Sequence, residues 1–350
     1  MIDETKLQTL VGSIIQDLGG AFSVPLVRIG EELGIYKALA EGGPLSSQGL
    51  ADKTGLDERY LREWLSAQAA STYISYDGDT KRFSMTPEQA FVFANQEGPM
   101  YMPPAFATAA GFQGNRAVVQ KAFQTGEGVA WGEQEGCLAC AIARFFRPGY
   151  AHHLLQEWLP AMNGVVAKLQ QGGSIADVGC GHGYATMILA DAFPNATVRG
   201  VDFHEPSIAT ARGHAVEHGL TNLEYEVQSV ESFRGQHDLI TLFDFLHDLG
   251  DPAGAMRRIR ESLRPGGAVM IVEPIAADDL AENLTPVNRL HYSASTMVCV
   301  PTSLAQDGRA ALGAQAGEAQ LREVVVEQGG FSTMRRIAET PFNYVFEAVA

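Results

Sequence analysis

Apolar residues fall at Leu7, Leu10, Val11, Ile14, Ile15 and Leu18. Steps of three and four place them on one face of a helix. The pattern predicts helix over about 7–36, broken at Gly19-Gly20, with a second helical stretch through Val24 to Leu33. A helix that is apolar on one side cannot bury that side alone, so this end is expected to pair with a second copy. Short helices are expected from Gly34 to Ala40, from Gln48 to Thr54 behind a cap at Pro44 to Ser47, and from Glu58 to Ala70 with Leu61, Trp64 and Leu65 inward. The runs Tyr73–Tyr76 and Arg82–Met85 flank the turn Asp77-Gly78-Asp79, a strong hairpin signal.

Three helices and a hairpin predict a winged helix over 1–95. Its charge argues against nucleic acid. Residues 1–95 hold eight Lys/Arg and thirteen Asp/Glu, a net of −5, and the third helix opens Asp57-Glu58. Affinity for DNA depends largely on neutralising phosphates. Residues 96–171 read as helical with proline and aromatic punctuation, including Trp131 and Phe146, and end in a helix through Leu154 to Leu169. This stretch is expected to roof a cavity or to form a packing layer.

From 172 to 350 the pattern alternates strand and helix, which predicts a parallel sheet covered on both faces. Strands are expected near 174–178, 197–201, 223–227, 238–243 and 268–272, and helices near 184–192, 206–218, 253–263 and 318–328. Met334 to Glu339 and Phe342 to Ala348 read as a closing antiparallel pair. The long stretch 275–317 is expected to contain a helix.

The chain has 350 residues, 46% apolar and 19% charged, with a formal net charge of −16. It is expected to form two domains with a substantial core, to avoid phosphates and anionic membranes, and to lie in the cytoplasm. No secretory signal or membrane span is expected. Four cysteines make no disulfide framework. Cys137 and Cys140 form a lone CxxC within a helical pattern, so no metal is expected there.

The most informative segment is Ser174 to Gly183. An apolar strand reaches Asp177, and Gly179-Cys180-Gly181-His182-Gly183 leads into a helix from Tyr184. Such turns let backbone approach a ligand and aim free N–H groups at it. The next acidic strand end, Asp202, can accept ribose hydroxyls. The dinucleotide fingerprint would need a third glycine where Tyr184 stands.

With Asp177 before the turn, Asp202 after it, and Leu263-Arg264-Pro265-Gly266-Gly267 entering the fifth strand, the chain resembles class I S-adenosylmethionine-dependent methyltransferases. The resemblance extends to plant-type small-molecule O-methyltransferases and related bacterial enzymes, whose winged helix serves for dimerisation. It implies a Rossmann-like seven-stranded α/β sheet over 172–350, a homodimer, a small-molecule acceptor, and S-adenosylmethionine as cofactor with S-adenosylhomocysteine as product. Asp177, Gly179, Gly181, Gly183 and Asp244 would meet the methionine and ribose portions, and Asp202 the ribose hydroxyls. Phe203 would lie against the adenine. Ser229 and Val230 follow the third strand, where the family usually has an acid, so Ser229 departs from the pattern.

The resemblance also places a general base at His247-Asp248, oriented by Glu273. A phenol has a pKa near ~10, so it needs its proton removed before it attacks a methyl carbon, and histidine can take that proton near neutral pH. Thiol and amine acceptors, which need no base, remain open, as does a regulator that senses the cofactor. His291, Tyr292 and Met297, with Phe146 and Trp131 behind them, are the acceptor-contact candidates.

Overall fold

The computed structural model describes every residue except Glu135 and Cys137. It divides into two compact units, Met1–Gly111 and Phe112–Ala350. The CxxC reading thus falls partly outside the described residues; Cys140 is an exposed free thiol.

The first unit opens with α1, Glu4–Glu32, capped by Asp3. The helix does not break at Gly19-Gly20. Each glycine costs about 1 kcal/mol relative to alanine. Two new helix ends would strand several backbone groups each and require a second nucleation. The row from Leu7 to Leu18 is exposed, whereas Val24 and Val27 are buried. By length and composition α1 is long and apolar enough to cross a membrane.

Helices α2 (Ile35–Gly42), α3 (Ser47–Thr54) and α4 (Glu58–Ala70) follow, then strands β1 (Ser75–Asp77) and β2 (Arg82–Ser84) and helix α5 (Pro87–Phe93). Ser46, Asp57 and Thr86 cap α3, α4 and α5 by accepting from backbone N–H groups. The core gathers Val27, Ile35, Tyr36, Leu50, Trp64 and Leu65. Inside it, Tyr36 donates to Gln68 at 2.5 Å and Trp64 Nε1 to the Leu26 carbonyl at 2.8 Å. Gly30 is required because a Cβ there would overlap the Trp64 ring. Helix α6 (Pro103–Thr125) contains the unit boundary, so the stretch 96–171 is divided between the two units.

In the second unit, α7 (Leu138–His153) runs into a wide turn at Leu154–Trp158, and α8 is Val165–Gln170. The single helix expected through 154–169 is interrupted. Pro160 brings no N–H to a helix, and Gly164 turns the chain at φ +73°.

Elements β3 (Ser174–Val178), α9 (Tyr184–Ala192), β4 (Thr197–Asp202), α10 (Glu205–Glu217), β5 (Leu223–Val227), β6 (His237–Phe243), α11 (Pro252–Glu261) and β7 (Leu263–Pro274) then alternate. Helices α12 (Pro286–Ala294) and α13 (Val300–Leu304), joined by a wide turn at Ser295–Cys299, occupy the long stretch after β7. Helix α14 (Gly317–Arg322) and strands β8 (Thr333–Glu339) and β9 (Asn343–Val349) complete the unit.

The seven strands are ordered β5-β4-β3-β6-β7-β9-β8. The first five are parallel, and β9 pairs antiparallel with both β7 and β8. This is the expected Rossmann-like seven-stranded sheet. Strands β3 and β6 are buried throughout because helices cover both faces. One face packs Val178, Leu242, Ile259 and Val325 among others, and the opposite face Leu169, Leu189, Met270 and Val345.

Candidate active site

The carboxyl ends of β3, β4 and β6 open onto a cavity of about 320 Å³, a size suited to a small molecule. Its first wall is the turn after β3. Gly179, Gly181 and Gly183 all have positive φ (76°, 53° and 75°). They serve different ends. A Cβ on Gly179 would overlap the Phe245 ring, and one on Gly183 would overlap the Tyr225 hydroxyl, which donates to the Gly183 carbonyl. At Gly181 a Cβ would meet nothing within 4 Å. Gly181 is therefore the bare stretch of backbone that a ligand can approach.

Two carboxylates hold this turn. Asp177 is buried and accepts from the hydroxyls of Thr186 at 2.5 Å and Thr241 at 2.9 Å. Burial pushes its pKa up to about 6 against those two bonds. Asp202 accepts from the N–H of Gly181 at 2.9 Å and of His204 at 2.8 Å. Burial raises its pKa too, opposed by the two N–H donors. Each Asp202 oxygen has used one acceptor position, and a carboxylate offers about four in all.

Asp244 follows β6 directly at φ +49°, unusual for a residue with a side chain. Asn343 donates to it at 2.7 Å, and the Tyr150 hydroxyl stands at 3.5 Å. Burial, then repulsion from Glu273, pushes its pKa up to about 8. Phe203, Ser229 and Val230 also line the cavity. So does Glu231, two residues past Ser229, an acid that sequence reasoning missed. Its signal was the acidic position itself, displaced by the short turn Val230–Ser232.

Among the lining residues are Asp177, Asp202, Glu231, Asp244 and Asp248, and no Lys or Arg. Several carboxylates held in a low-dielectric wall with no cation among them match a ligand that brings positive charge and hydroxyl donors. A sulfonium nucleoside carrying an α-ammonium group has that chemistry, and these residues fit it.

The lining also holds the bulky side chains of Trp131, Ile142, Phe146 and Tyr150. Of the acceptor candidates, Phe146 and Trp131 line the cavity, whereas His291, Tyr292 and Met297 do not. Met297 packs with Leu138, Val298 and Ala314. Burial lowers the His291 pKa to about 4. All three are half-buried, and which of them reaches the cavity is not revealed by local pattern.

His247 lies beneath the cavity edge, almost wholly buried. Its Nδ1 is 2.5 Å from Glu273 Oε2, and its Nε2 is 3.3 Å from Asp248 Oδ1. The other Glu273 oxygen accepts from the Leu246 N–H at 3.0 Å, which fixes the carboxylate against the loop that carries the ring. Burial works against the charged ring, but Glu273 and Asp248 outweigh it and hold the His247 pKa well above its ordinary value. His247 itself is not part of the cavity lining, but Asp248 is.

A methyltransferase domain model matches residues 169–343, and an Rv2258c-like winged HTH domain model matches residues 21–95. The ubiquinone biosynthesis O-methyltransferase of Bordetella avium is 34% identical over 129 residues, 35% of this chain and 51% of that protein. The chain thus spans about half the length of the curated relatives it matches. A putative O-methyltransferase from Nostoc punctiforme has a similar fold, with TM-score 0.71 and 18% identity over 97% of this chain and 98% of that one. Human N-acetylserotonin methyltransferase, solved in complex with SAM, gives TM-score 0.67 and 16% identity over 97% of each chain.

Proposed function

The chain belongs to the S-adenosylmethionine-dependent methyltransferase family, and on that premise we propose that it methylates the hydroxyl of an uncharged, largely apolar small molecule. The observation that carries this reading is the Glu273–His247–Asp248 relay, whose outer member borders the cavity. When bound, the cofactor supplies an electrophilic methyl group on a sulfonium. Gly181 and Asp202 would hold its ribose side, and Asp244 its ammonium end. Phe203 and Glu231 would face the adenine.

The chain's own residues then have three tasks. The bulky side chains of Phe146, Trp131 and Tyr150 exclude water and orient a planar acceptor. The His247–Asp248 pair takes the proton of the acceptor hydroxyl, through Asp248 Oδ1 to His247 Nε2. Glu273 stabilises the imidazolium that results and keeps Nε2 turned towards Asp248. The carboxylates of the lining repel an anionic acceptor, which favours a neutral one.

We further propose a homodimer. The exposed row from Leu7 to Leu18 lies on one side of α1, which suits a second copy of the helix better than a bilayer, where apolar residues would face outward all round.

The test is release of S-adenosylhomocysteine from a panel of phenols, thiols and amines. Turnover of a phenol that falls at least about a hundredfold in His247→Ala, with cofactor affinity kept, supports the reading. Turnover confined to thiols or amines and indifferent to His247 overturns it.

A further inference from the structure

Three donors of different chemistry converge next to Glu273. One donor atom each from His247, Asp248 and Cys299 lie within 4.8 Å of one another, and His247 Nε2 is 3.3 Å from Asp248 Oδ1. Their settings are unusual for a mere packing cluster. Cys299 is buried, and Asp248 Oδ1, also buried, accepts no well-formed hydrogen bond but stands 3.3 Å from His247 Nε2. A buried carboxylate oxygen beside a ring nitrogen needs a positive charge between them, which is either a proton on Nε2 or a cation in its place.

We propose that His247, Asp248 and Cys299 form a binding site for a soft divalent cation of the Zn²⁺ class. Nitrogen, oxygen and sulfur donors are the set such an ion takes, with bonds of about 2.0–2.3 Å. Tetrahedral geometry then separates ligand atoms by roughly 3.3–3.8 Å. The His247–Asp248 pair, at 3.3 Å, already stands at that spacing. The thiolate has to close by about 1.3 Å at most, within reach of a side-chain rotation.

The second layer fits as well. Glu273 at 2.5 Å from Nδ1 is the carboxylate–histidine contact that fixes the tautomer of a metal-bound ring and leaves Nε2 free to ligate. Asp248 lines the cavity, so the ion has an entry path and a fourth position open to water. Hard cations such as Mg²⁺ prefer all-oxygen sets, and the thiol selects against them.

The site uses the same nitrogen as the base proposed above, and only its inhibitory consequence rests on that reading. An ion on Nε2 leaves no lone pair for the proton of the acceptor, so Zn²⁺ would switch the enzyme off reversibly.

Co²⁺ added to the chelator-treated full chain tests the site without any assay of activity. One equivalent is expected to bind per chain, with tetrahedral visible bands and a thiolate-to-cobalt charge-transfer band. Cys299→Ser should abolish the charge-transfer band, and Asp248→Asn should weaken binding at least about tenfold, while Cys140→Ser, at an exposed thiol, should leave the spectrum unchanged. Absence of the band in the native chain, or its survival in Cys299→Ser, overturns the site. If Cys299→Ser does not fold, the Asp248→Asn affinity decides: an unchanged value overturns the proposal. Methyl transfer measured in chelator reports separately on the activity, so failure of the metal site and failure of the methyltransferase reading are distinguishable.

Discussion

His247 Nδ1 and Glu273 Oε2 stand 2.5 Å apart, joining the loop after β6 to the end of β7 in a buried pair. An imidazole so placed has a raised pKa, and the sign of its effects follows. The ring is protonated at low and neutral pH and becomes a proton acceptor only as pH rises through its folded pKa, above the ordinary ~6.5. Turnover of a phenol should therefore climb with pH past neutrality and then level. A rate that falls over that range would remove His247 as the base.

Glu273→Gln withdraws the main counter-charge. The ring pKa should fall, so the rising limb of kcat against pH should move to lower pH. The plateau should drop by about 10–10³-fold, because the imidazolium formed in the reaction has lost its partner. The pH profile separates this role from a merely structural one, which would leave the limb in place.

The same pair is linked to stability. A histidine with a raised folded pKa contributes stability that is fully present below the unfolded value of ~6.5 and is lost as pH rises through the folded value. Urea unfolding of the native chain and His247→Gln across pH 6–10 should show a difference that shrinks towards the alkaline end. A constant difference would sink the linkage.

Asp202→Ala should weaken cofactor affinity by roughly 1.5–3 kcal/mol, since it removes both the ribose acceptor and the anchor of the Gly181 N–H. Isothermal calorimetry with S-adenosylhomocysteine measures this. Equal affinity would take Asp202 out of the site.

Gly181→Ala and Gly183→Ala should part company. Both place a side chain at positive φ, a strain of about 1–2 kcal/mol. Gly183→Ala adds overlap with the Tyr225 hydroxyl, so its Tm should drop further. Gly181→Ala should fold but bind cofactor poorly, because its methyl group enters open cavity. Matched thermal scans and calorimetry on the two variants check the contrast.

Ile14→Asp with Leu18→Asp puts two charges in the exposed row of α1. The solution mass by light scattering should fall from that of a dimer to that of a single chain. A native chain that is already monomeric would end the dimer proposal.

Much of this was written locally. The turn after β3, the strand ends at Asp177 and Asp202, and all seven strands were readable because short apolar runs between turn residues, glycine conformation and carboxylate position are properties of a few adjacent residues. Gly19-Gly20 misled for the same reason. Glycine marks a local weakness, but continuity of α1 depends on the cost of two new ends, which no short window contains. The helix through 154–169 failed where Pro160 and Gly164 interrupt it.

The line of residues therefore set which elements form and which chemistries stand at their ends. It did not set which of them meet. That Gly181 alone among the three glycines faces open space, that His291, Tyr292 and Met297 are not among the cavity-lining residues, and that Cys299 comes to rest near His247 from 52 positions along the chain follow from packing. Side-chain direction depends on which helix face finds a partner, and only the folded sheet with its covering helices supplies that partner.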